Sequence, residues 1–169
     1  MTTFIFGSSA IALYVLGWVA YVLELSNRVK IKTPLIQILT GLAIILHGCA
    51  SFGLLLHDGG LDLSLLKILS LLALVINSLV FLSGFKEPIH GLNLALFPVS
   101  VVTLVLALIS SSTKSTAIIP YSLQAHILTS ILAYSFLAIA ALQALLVGYQ
   151  NWQLKHKHQN RLMRTLPAL

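Results

Sequence analysis

The chain has 169 residues, of which 58% are apolar and only 8% charged, a composition far outside the range of water-soluble globular domains. The formal charge of +6 does not point to nucleic acid, because the positive residues gather beside apolar segments, where they set membrane topology and meet anionic head groups. The sequence therefore reads as one integral membrane domain, 1–169, in contact with the lipid bilayer.

A spanning helix needs about 20 mainly apolar residues, and five stretches qualify: about 4–25, 34–56, 63–84, 89–111 and 122–149, followed by a tail at 150–169. This predicts an all-α, polytopic transmembrane bundle. Arg28, Lys30, Lys32, Lys86, Lys155, Lys157, Arg161 and Arg164 fall on one side, against Lys67 and Lys114 on the other. By the positive-inside tendency the N-terminus lies outside and the tail in the cytoplasm. Residues 1–25 have no basic leader and no small-residue cleavage site, so they read as an uncleaved first span.

Lipid cannot satisfy polar side chains, so those inside spans are expected to face other helices. The first span carries Tyr14, Gly17, Tyr21 and Glu24 at helical spacing. The second carries Gln37, Thr40, Ile44, His47 and Ser51, and the third Lys67, Ser70, Ala73 and Asn77. In the fifth, Ser122, His126, Ser130, Ala133, Leu137, Ala140 and Ala144 form a stripe of mostly small residues. Each stripe is read as the buried face of its helix. Lone Cys49, inside the second span, is expected to be a small packing residue.

Six histidines remain. His156 and His158 sit among tail lysines, and His57 and His90 lie at helix ends beside Asp58 and Glu87, within reach of interfacial water. His47 is deeper, roughly 14 Å below the outer end of its helix, and His126 lies roughly 7 Å in from the start of the fifth. A neutral imidazole on an inward stripe suits iron ligation, hydrogen-bonded packing or a proton or ion pathway. Residue chemistry alone leaves all three open.

The stretch "AHILTSILAYSFLAIAALQALLVGYQNWQLKHK" resembles the signature helix of the cytochrome c assembly protein family (CcsA/ResC/CcmC-like), in particular its short YpjD/HemX-like inner-membrane branch. "LAIILHGCASFGLLL" is similar to that branch's second helix, and "LDLSLLKILSLLALVINSLV" to its third. The resemblance implies a haem-handling role in cytochrome c biogenesis in a bacterial inner membrane, with His126 and His47 matching the family's haem-ligating histidines. It also implies partners: apocytochrome c or other maturation subunits, and a homo- or hetero-oligomer. The family's tryptophan-rich outer segment has no counterpart here. Members of the branch continue into further helices, so the chain is expected to correspond to the N-terminal part of such a protein. No nucleophile elbow, phosphate loop or H-E-x-x-H pair is present, so no enzyme activity is expected. A second reading, from residue chemistry, is a non-haem membrane scaffold or accessory subunit of a transporter.

Overall fold

A computed structural model describes residues 1–26, 33–57, 60–85, 90–110 and 120–156. Its elements are α1 (Thr2–Leu25), α2 (Thr33–Leu55), a two-residue antiparallel bridge of β1 (Leu56–His57) with β2 (Gly60–Leu61), α3 (Leu65–Ser83), α4 (His90–Ile109) and α5 (Tyr121–Lys155). All five helices are long and apolar enough to cross a membrane, and the expected all-α bundle is what forms. Helices satisfy every interior backbone group within themselves, which is why a bilayer favours them. At about 1.5 Å per residue, the 35 residues of α5 extend well beyond a hydrocarbon layer of about 30 Å.

Thr2, Leu55, Leu65 and Ile109 mark the hairpin end of the bundle, and Leu25, Thr33, Ser83 and His90 the far end. α1 packs on α2 and α4, and α3 packs on α4, α2 and α5. Gly17 lets α1 approach α4 closely, because a Cβ there would lie 2.9 Å from the Phe97 ring. Three apolar clusters result. Ala10, Ala50 and Leu104 join α1, α2 and α4 near the hairpin end, with Leu108 packed against them. Tyr14, Ala43 and Phe97 join the same helices at mid-depth. Ile76, Val80, Leu92 and Leu96 join α3 and α4 towards the far end, and there Ala138, Ile139, Leu142 and Leu146 of α5 dock.

The polar stripes of the first three helices face inward as expected. Tyr14 and Gly17 are buried in α1, Thr40, His47 and Ser51 in α2, and Lys67, Ser70, Ala73 and Asn77 in α3. The fifth stripe is a correction. Ser122, His126, Ala133, Leu137, Ala140 and Ala144 are exposed and Ser130 is half-buried, whereas Ile131, Ser135, Gln150 and Gln153 are buried. The physical reason is that α5 has nearly the same polarity all round, so its docked face is chosen by the branched chains that fit Ile76, Val80, Leu92 and Leu96, not by its small residues. Cys49 is likewise exposed on α2 instead of packed.

Candidate functional site

His47 stands at the junction of three helices. Its ring is wholly buried, with Nδ1 3.3 Å from the Tyr14 hydroxyl of α1 and Nε2 3.0 Å from the Ser70 hydroxyl of α3. The Tyr14 ring meets it edge-on, with centroids 5.8 Å apart. A hydroxyl can donate or accept, so in either neutral tautomer one hydroxyl donates to the bare nitrogen while the ring N–H donates to the other. Both nitrogens are engaged, and neither is presented to a metal. For His47 to ligate iron, Tyr14 or Ser70 would have to give up its contact with the ring.

The same interior holds further polar contacts. Asn77 Nδ2 donates to the Ser100 hydroxyl at 2.6 Å and to the Ala73 carbonyl at 2.7 Å. Asn93 Nδ2 donates to the Tyr21 hydroxyl at 3.1 Å. Around that pair, at the far end, lies a narrow cleft lined by Tyr21, Gln37, Thr40, Phe81 and Asn93, with no charged side chain among its described lining residues. At the hairpin end Lys67 Nζ meets Asp62 Oδ2 at 2.5 Å, with both side chains almost wholly buried. Burial alone would raise the Asp62 carboxyl, but the hydrogen bonds from Lys67 and the Ser64 backbone, with the Lys67 charge, outweigh it and hold the group below its ordinary 3.8. Sequence reading placed Lys67 as an outward-side cation and as the first residue of the inward stripe of the third span, without a partner. The i, i+5 spacing of Asp62 and Lys67 across a helix start was the signal for the pair.

His126 is placed quite differently. It projects from the first turns of α5 on the side opposite the face docked on α3 and α4, and its ring makes no hydrogen bond with any described residue; its backbone carbonyl accepts from the Thr129 hydroxyl at 3.0 Å. The structure does not bring His126 and His47 together: one lies on an uncovered helix face, the other inside the α1–α2–α3 junction. Among the described residues no group of three or more His, Cys, Asp or Glu side chains converges. His156 lies at the end of α5, its ring 4.8 Å from that of Trp152. Asp58, Glu87, His158 and, among the topology-setting cations, Arg28, Lys30, Lys32, Lys86, Lys114, Lys157, Arg161 and Arg164 lie outside the described residues. Comparison with family models, curated proteins and solved structures finds no match to this chain.

Proposed function

We propose that this membrane protein handles haem in the manner of the cytochrome c assembly family, with His126 as the iron-ligating residue. The observation that supports the reading is an imidazole without a hydrogen-bond partner among the described residues, held on a helix face whose neighbours one and two turns on, Ser130 and Ala133, are small. An axial ligand needs one open ring nitrogen and clearance for a flat macrocycle; His126 meets both conditions and His47 meets neither. When bound, the haem iron would supply the redox chemistry, and the chain itself would supply binding and orientation without a bond-making centre of its own. In this reading the N-terminus is outside a bacterial inner membrane and the tail cytoplasmic. The uncovered face of α5 meets a maturation subunit, apocytochrome c or a second copy that provides the other axial ligand. Haem titrated into the detergent-purified protein is expected to bind saturably, to lose that binding in His126→Ala and to keep it in His47→Leu.

A second reading, the non-haem scaffold or accessory subunit, is supported by the full engagement of His47 with Tyr14 and Ser70, since an imidazole so used joins helices. Non-saturable partition of haem, identical in all three proteins, would favour it.

A further inference from the structure

Pro98 lies inside α4 and has no N–H, so the carbonyl four residues earlier, that of Leu94, loses its usual backbone donor. In a membrane that loss has to be met by another group. The indole Nε1–H of Trp18, on α1, donates to the Leu94 carbonyl at 3.1 Å. The donor thus comes from a different helix and from a side chain reaching the point where the α4 ladder is interrupted.

The interruption also divides α4 by what it packs against. Before Pro98, Leu92 and Leu96 belong to the cluster that carries α3 and α5. After it, Leu104 and Leu108 belong to the cluster with Ala10 and Ala50 of α1 and α2. Phe97 sits at the joint, its ring 5.4 Å from that of Tyr14 and 5.9 Å from that of Tyr21. α5 docks through the first cluster alone among these three. A change of bend at Pro98 would therefore shift α5 and the far-end half of α4 against α1 and α2, and would strain the Asn77–Ser100 contact that crosses the division. Trp18 spans those two units, and beside it the Tyr21 hydroxyl of α1 accepts from Asn93 of the far-end half of α4.

We infer that α4 is hinged at Pro98 and that the hydrogen bond from Trp18 to Leu94, with that from Asn93 to Tyr21 beside it, is the latch that holds the hinge shut. Weakening the latch at Trp18 raises the population in which the α5-bearing unit has moved relative to α1. Replacing Pro98 with alanine removes the hinge and the need for the latch together, because residue 98 then supplies the missing N–H to Leu94. An interhelical hydrogen bond in a bilayer changes a two-state ratio by about threefold on average and about twentyfold at most, so W18F shifts the latched population by that factor.

The test uses the full chain in nanodiscs with Cys49→Ser, spin labels at Val15→Cys on α1 and Leu145→Cys on α5, both exposed positions, and the distance distribution by pulsed electron resonance. W18F is expected to add a second, displaced distance, and W18F/P98A to return the single narrow distribution of the parent. A parent-like distribution in W18F, or one in the double variant as broad as in W18F, overturns the inference, the latter because it would mean that the indole acts only by packing. Should W18F alone not fold, the double variant must still fold, having no orphan carbonyl; failure of both also overturns it.

Discussion

Substituting His47 with leucine separates a helix-joining imidazole from a metal ligand. The side chain is fully buried and makes two contacts, to Tyr14 at 3.3 Å and Ser70 at 3.0 Å. Leucine is similar in size, so the change opens little cavity and the loss is polar. Two interhelical hydrogen bonds in a bilayer are worth about 0.6 kcal/mol each. The Ser70 hydroxyl can recover by turning to the carbonyl one turn back in its own helix. The Tyr14 hydroxyl has no such recourse, and leaving it unpaired costs about 1–2 kcal/mol. His47→Leu should therefore destabilise the bundle by about 2–3 kcal/mol. Adding Tyr14→Phe removes the orphaned hydroxyl, so Tyr14→Phe/His47→Leu should be more stable than His47→Leu alone, with a coupling of about 1–2 kcal/mol. Reversible unfolding in mixed SDS micelles measures all of these, and haem uptake per folded molecule should not change. A His47→Leu cost under about 0.5 kcal/mol, simple additivity in the double variant, or haem lost in proportion to His47 would refute the reasoning.

The Asp62–Lys67 pair gives a signed pH response. Because the folded carboxyl is held below 3.8, its contribution is complete above that value and disappears as pH falls through the lower folded value. Acid unfolding should show this contribution only below about pH 4, and Asp62→Asn should abolish that part of the profile while destabilising the protein by about 3 kcal/mol at neutral pH, the cost of removing one partner of a buried pair. Asp62→Asn/Lys67→Met should recover much of that loss. For topology, a reporter that works only in the cytoplasm should be active after Leu169 and silent near Lys114; the reverse pattern would invert the proposed orientation.

How far the sequence discloses this molecule depends on what decides each feature. The inward faces of α1 to α3 are set by side chains that lipid cannot satisfy, so the spacing of Tyr14 with Gly17, of Thr40 with His47 and Ser51, and of Lys67 with Ser70 and Asn77 is enough to find them. Small residues impose no such requirement. Ala133, Ala140 and Ala144 are as acceptable to lipid as to a neighbouring helix, and periodicity alone assigned them to the wrong side of α5. With them went His126, whose expected burial was inferred from the company it keeps. The partners of His47 were equally out of reach, because Tyr14 and Ser70 belong to other helices and meet it only through the packing of three elements. Pro98 is a related case: its position foretells a free carbonyl at Leu94, while the donor that answers it, Trp18, lies 76 residues away in the chain.

The central claim is that His126 can hold haem iron, and the absorption spectrum of the haem-loaded, detergent-purified protein tests it most directly. The wild type is expected to show a Soret band distinct from that of haem in detergent, characteristic of an imidazole ligand. His126→Ala should lose or strongly shift that band, and added imidazole should partly restore it by occupying the vacated coordination position. A wild-type spectrum indistinguishable from haem in detergent alone, or a His126→Ala spectrum identical to the wild type, would contradict the account.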